Sequence, residues 1–269
     1  MWRQHSGMIA WPTIFLIFGV VLAWSTAVIA HAAEILSTPS AALLSFGACY
    51  LALTPAHEAA HGNITGKRYI WIDGAVGWIA MFILLGPFTP FRELHLRHHT
   101  HTNHPDKDPD MWIAGRRLGL LFRFLTILPR YYWCYSFPPH GVRSKLAQTR
   151  LHAVGFFLAY SLLVAAMLMA GLLFTVIFVM IIPAWLALSV LAVVFDWLPH
   201  HPHRTKERYR NARVIPSEVL DKLLLGQNFH LVHHVWPSVP WYRYGPLFRS
   251  QEAHLRSKGA IVVERMADI

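Results

Sequence analysis

Between Ala153 and Phe195 the chain reads Ala153-Val-Gly-Phe-Phe-Leu-Ala-Tyr-Ser-Leu-Leu-Val-Ala-Ala-Met-Leu-Met-Ala-Gly171-Leu-Leu-Phe-Thr-Val-Ile-Phe-Val-Met-Ile-Ile-Pro183-Ala-Trp-Leu-Ala-Leu-Ser-Val-Leu-Ala-Val-Val-Phe195, without one Asp, Glu, Lys or Arg. A helix crosses the hydrocarbon of a bilayer with about 20 apolar residues. The run is too long for one crossing and reads as two, about 153–171 and 174–195, hinged near Gly171. Working outward, an uncharged apolar segment at about 8–30 and a shorter one at about 41–56, which leads straight into His57, complete four expected spans. The composition agrees. Of 269 residues 55% are hydrophobic and only 14% charged, against roughly a quarter charged in soluble domains. These values exclude an ordinary water-soluble domain, a disordered chain, a collagen and a coiled coil. Cys49 and Cys134, the two cysteines, are too few for a disulfide framework, a four-thiolate zinc site or an iron–sulfur cluster.

The basic residues orient this layout. Arg3 precedes the first span, twelve Lys and Arg lie between Gly62 and His152, and eleven follow Phe195; the connections at His31–Ser40 and near Gly171 hold none. Basic residues mark the cytoplasmic side of short loops, so both termini and the central segment are expected in the cytoplasm, in a multi-pass cell-membrane protein. The motif Ala30-His31-Ala32 mimics a signal-peptide cleavage site. The apolar stretch before it is longer than a signal core, and it reads as an uncleaved first span. Residues 70–87 are apolar but contain Asp73 and three glycines, and read as re-entrant or interfacial. A full crossing there would separate the histidines before it from those after it. Arg130-Tyr-Tyr-Trp-Cys-Tyr135 reads as an interfacial aromatic anchor. The fold expected is an all-α integral membrane protein, one domain over 1–269, with four transmembrane helices and a cytoplasmic histidine-rich helical cap.

Eighteen histidines are the anomaly of the composition. His57-Glu-Ala-Ala-His61 ends the second span, and positions i and i+4 share a helix face. His95-Leu-Arg-His98-His99 places three imidazoles at i, i+3 and i+4. His230-Leu-Val-His233-His234 repeats that spacing, and Asp196-Trp-Leu-Pro-His200 adds one histidine where the fourth span ends. One such pair is a weak signal; two copies of HxxHH beside an HxxxH, all at span ends, point to a shared metal site. Nine imidazoles exceed what one ion holds, whereas two ions with four or five each fit. Spacing does not choose among iron, copper, nickel and zinc.

The pattern HxxxH, HxxHH, HxxHH resembles the integral-membrane fatty acid desaturase and hydroxylase superfamily, a di-iron, oxygen-dependent group with four spans, from the second span to about Tyr244. His98-His-Thr-His-Thr-Asn-His-Pro-Asp-Lys-Asp-Pro-Asp110, Leu198-Pro-His-His-Pro-His203, Arg210-Asn-Ala-Arg-Val-Ile-Pro-Ser217 and Phe229-His-Leu-Val-His-His-Val-Trp-Pro-Ser-Val-Pro-Trp-Tyr-Arg-Tyr244 are most like the desaturase-type β-carotene ring hydroxylases, with the ketolases close behind. The resemblance implies two iron ions, O2 as co-substrate, and metal ligands at His57, His61, His95, His98, His99, His200, His230, His233 and His234. It implies hydroxylation of a long apolar lipid, a carotenoid β-ring first and a fatty acyl chain second. Asp196 stands where acyl desaturases carry an asparagine. Glu58, Asp106, Asp108 and Asp110 are candidate acceptors for ligand N–H groups, with Asp196 beside them. His101, His104, His201 and His203 read as surface or supporting residues; His5, His31, His140, His152 and His254 fit no spacing.

Oxidation with O2 needs electrons. The chain has no GxGxxG fingerprint, so a separate donor such as ferredoxin is expected, alongside the bilayer and an apolar substrate; nucleic acid is not. Two other classes meet the same residues. His57-Glu58-Ala-Ala-His61 also spells the HExxH of zinc proteases, with Glu58 as general base, but that leaves seven histidines unexplained. A metal transporter would place its ligands near the bilayer midplane rather than at span ends.

Overall fold

The computed structural model describes residues 8–115, 117–137 and 143–264; Arg3, His5 and His140 lie outside them. Among the described residues four helices are long and apolar enough to cross a membrane: α1 (Trp11–Ala32), α2 (Thr38–His61), the Thr149–Met169 part of the helix Arg143–Met169, and Thr175–His200. Between the second and third lie α3 (Ile70–Ile83), α4 (Phe88–His101), α5 (Leu120–Leu125) and α6 (Ile127–Ser136). The third and fourth spans are α7 and α8. After them come α9 (Glu218–Leu223), α10 (His230–Val235) and α11 (Tyr244–Ser257), with a two-residue parallel bridge pairing β1 (Arg213–Val214) with β2 (Ile261–Val262).

Helix α2 sits at the centre because of its side chains. Ala41, Ser45, Ala48, Cys49, Ala52, Ala56, Ala59 and Ala60 form a buried stripe of small residues, which lets neighbouring backbones approach closely where lipid gives no hydrophobic drive. Ser37 starts the helix, its hydroxyl accepting from the Ser40 N–H, and Gly62 ends it in the left-handed region at φ 71°. The outer faces carry exposed Phe15, Phe18 and Leu22 on α1 and Leu151, Leu158 and Leu162 on α7, as a lipid-facing surface requires. In α8, Pro183 has no N–H to offer the Val179 carbonyl. The Ser45 hydroxyl of α2 donates to that carbonyl at 2.5 Å, which ties the two spans. Helix α8 widens to π geometry over Thr175–Ile181 and Ala192–Trp197.

The segment at 70–87 does not run on as a straight crossing. Axes of α3 and α4 meet at 100°. Gly77 makes the bend possible, since a Cβ there would lie 2.3 Å from the Phe88 ring. Buried Asp73 accepts from the backbone N–H groups of Ile64 and Thr65 and from the Thr65 hydroxyl, so this acid organises the turn after α2. The bend returns α4 to the end of α2, where His61 and His95 meet at 2.8 Å. Histidines before and after the segment therefore share one end of the bundle. The turn at Ala170–Gly171, with Gly171 at φ 79°, lies where the hinge was expected. The C-terminal region caps the same end around a second core that includes Val214, Phe229, Leu231, Tyr244, Leu247 and Leu255.

Candidate metal centre

Nine histidines from four stretches of chain converge in two groups. His57 and His61 occupy the last turns of α2, where Arg92 Nε donates to the Ala60 carbonyl. His95, His98 and His99 lie on α4, His200 ends α8, and His230, His233 and His234 form α10. Gly226, at φ 79°, starts the turn into α10; a Cβ there would meet the Trp241 carbonyl oxygen at 2.7 Å. One group is His57, His61, His95, His99 and His233, the other His98, His200, His230 and His234; ring nitrogens within each lie within 4.8 Å of one another. The adjacent pairs split: His98 and His99 serve different groups, as do His233 and His234.

The outward ring nitrogens settle which tautomer each ring holds. His98 Nδ1 faces the Asp108 carboxylate at 2.9 Å and Asp110 at 3.2 Å. His200 Nδ1 lies 2.8 Å from the Asn211 carbonyl oxygen, and His230 Nδ1 lies 3.0 Å from Gln227 Oε1. These partners only accept, so each Nδ1 carries the proton. Tyr244 spends its hydroxyl proton on Glu58 at 3.5 Å and accepts from His233 Nδ1 at 2.8 Å. Thr102 donates to the His98 carbonyl at 2.8 Å and accepts from His234 Nδ1 at 3.4 Å. The Nε2 atoms of these five rings point inward, and those of His200, His230, His233 and His234 are bare.

Bare Nε2 atoms then face each other at 3.1 Å between His230 and His234. Lone pair against lone pair is repulsive; a cation between them makes the arrangement favourable. Burial pushes the pKa of His95, His99, His230, His233 and His234 well below the ordinary histidine range, which leaves them in the neutral form a metal takes. At His98 burial opposes the charged form, but Asp108 and Asp110 prevail and raise it to about 9. That corner attracts positive charge. Imidazoles in sets of five and four, several held neutral by burial and five backed by fixed acceptors, fit a metal centre.

Several side chains fall where the sequence reading placed them, and others do not. Glu58 is buried but meets His57 Nδ1 only at 3.7 Å; it accepts from the Trp241 N–H at 3.4 Å and reaches the His233 ring through Tyr244. Its carboxylate lies on the outer side of the rings, so it is not placed as the base of a zinc protease. Asp106 is a correction: it is exposed, its backbone N–H donating to His104 Nδ1, and it reaches neither group. Chain direction turns its side chain to solvent while Asp108 and Asp110 fold inward. Asp196 lines an apolar cavity with Asp110. His101, His104, His201 and His203 stay outside both groups. His31 bonds Thr175 and Thr38 at 2.8 and 3.0 Å, His152 bonds Thr89, and His254 packs on Tyr209. Tyr244, Gln227, Thr102 and the Asn211 carbonyl were not anticipated as partners. Of these only Gln227, three residues before His230, left a trace in the spacing.

The cavity beside the groups is walled by Leu53, Leu128, Leu191 and Phe195 and reaches His57, His95, His98 and His230. Tyr131 donates to Asp110 at 2.6 Å where it ends. Four apolar spans, two histidine groups that fit a metal centre and an apolar cavity leading to them are the architecture of a membrane enzyme suited to a lipid-like substrate. The fatty acid desaturase family matches residues 32–262, and the chain belongs to that family; it is an oxidoreductase that acts with O2. Among similar proteins are two β-carotene ketolases from Paracoccus. The one from strain PC1 is 28% identical over 194 residues, 70% of this chain and 69% of the relative. The one from strain N81106 / MBIC 01143 is 26% identical over 249 residues, 84% and 87%. An acyl-lipid (9+3)-(E)-desaturase of Dimorphotheca sinuata is 24% identical over 225 residues, 69% and 59%.

Proposed function

We propose that the protein is a di-iron oxygenase that inserts oxygen into a ring methylene of a β-carotene-like carotenoid. His57, His61, His95, His99 and His233 hold one iron, and His98, His200, His230 and His234 the other. When bound, the irons supply the O2 activation and oxidising power for an unactivated C–H bond that no side chain possesses. The balance is R–H + O2 + 2e− + 2H+ giving R–OH + H2O, so a separate carrier delivers the electrons. The loop charges favour a cytoplasmic position for the histidine end.

The observation that carries this reading is the apolar cavity ending on rings of both groups. Its walls desolvate a hydrocarbon and exclude water. Asp108, Asp110, Gln227, Tyr244, Thr102 and the Asn211 carbonyl hold each Nδ1 proton in place, so the rings keep one orientation through turnover. The alcohol is the first product; a second insertion at the same carbon, with loss of water, gives the ketone after which the Paracoccus relatives are named. Co-expression with β-carotene synthesis tests this. A carotenoid gaining one oxygen is the expected result, with or without loss of two hydrogens. Unchanged carotenoid beside new double bonds in the acyl lipids would replace it with acyl-lipid desaturation.

A further inference from the structure

The two histidine groups are reached from two sides, and the sides differ in chemistry. The apolar cavity touches His57, His95, His98 and His230. A second, polar opening is floored by His99 and His234, one ring from each group, stacked with centroids 4.3 Å apart and planes 20° from parallel. Its walls include His101, His104, Lys206 and Arg208, and no Asp or Glu is among the residues that line it. Lys206 and Arg208 are exposed and belong to Arg204-Thr-Lys-Glu-Arg-Tyr-Arg210, which sets four cations against one carboxylate. That carboxylate, Glu207, is paired with Arg210 at 3.3 Å. Arg208 also donates to the Val235 carbonyl at 3.0 Å, next to His234.

We propose that this opening is the docking face for an acidic one-electron carrier protein, with Lys206 and Arg208 its recognition charges. The inference rests on the reading of the chain as an oxygenase fed by a separate carrier, and it names the surface that carrier uses. A hydrocarbon substrate gains nothing from a cationic rim. An acidic protein surface is steered to one and held in register by it. Two successive dockings deliver the two electrons that each insertion consumes, and neither competes with the lipid for space.

The test measures binding, so it does not depend on which lipid is oxidised. A plant-type ferredoxin is titrated against the metal-loaded protein in phosphatidylcholine nanodiscs at low and moderate salt. Lys206→Glu is expected to weaken binding on the order of tenfold and to flatten its salt dependence. Lys206→Arg should bind like the parent. Lys258→Glu makes the same change of net charge at the exposed end of α11 and should stay within about twofold if recognition is local. Equal loss in the Lys206 and Lys258 variants, or no loss at Lys206, overturns the proposal. So does a result in which phosphatidylglycerol nanodiscs shield Lys206 from acetylation and ferredoxin binding ignores the substitution; the patch would then face lipid headgroups.

Discussion

At the scale of single residues, the centre depends on imidazoles whose protons are assigned by their neighbours. His98→Ala or His233→Ala removes an inward Nε2 from a set of four or five and is expected to abolish turnover and cut bound iron, read by elemental analysis, with membrane insertion intact. His254→Ala, at a ring that packs on Tyr209 and lies outside both histidine groups, should match the parent; loss of product there would show the ligand set to be wrong. Tyr244→Phe removes the acceptor for His233 Nδ1 and the donor to Glu58. Loss of such partners costs about 10–100-fold in metal affinity, so this variant should load iron weakly and recover at high iron, unlike His233→Ala. The nine histidines were legible because helical spacing repeats in them. Of their acceptors, Asp108 and Asp110 were legible beside His98, but Tyr244 and Asn211 reach the rings only through the folding of the cap, and nothing local marks them. Asp106 shares its loop and its charge with Asp108, yet backbone direction alone separates them.

At the scale of elements, hydropathy finds where lipid is and not where a helix stops. The second and fourth apolar runs end near Ala56 and Phe195, but α2 and α8 continue to His61 and His200, because helical hydrogen bonding does not depend on the solvent outside. Those extra turns carry His61 and His200, one in each histidine group. The bend between α3 and α4 was legible as an irregularity, from Asp73 and the glycines, though its angle comes from the packing of Gly77 on Phe88. The stripe on α2 sets how closely its neighbours approach. Ala52→Leu, at a position with no exposure, should destabilise by about 1–3 kcal/mol through overpacking. Thermal unfolding in detergent measures this, and the same substitution at lipid-facing Leu43 in reverse, Leu43→Ala, should cost far less.

At the scale of the molecule, the histidine end couples folding to protons and metal. Five rings held neutral by burial bind fewer protons folded than unfolded. Their contribution to the metal-free protein is complete above about pH 6.5, the ordinary histidine value, and is lost as pH falls below it. His98 runs the other way, its contribution fading as pH rises through about 9. The larger set dominates, so the metal-free protein should melt at progressively lower temperature from about pH 7 to pH 5, and a chelator should lower the melting temperature of the loaded form at every pH in that range. Four spans and the position of the centre follow from composition and pattern. That the centre has one greasy approach and one cationic approach does not, since each wall is assembled from segments far apart in the chain.

The splitting of the His98–His99 and His233–His234 pairs has a consequence for assembly. Each dyad staples its helix to both donor sets at once, so an ion seated in one set pulls the complementary rings into register for its twin. Occupancy should then be nearly all-or-none: native mass spectra of under-supplied protein would be dominated by chains with no iron and chains with two, and an abundant single-iron species would mean that the dyads transmit nothing.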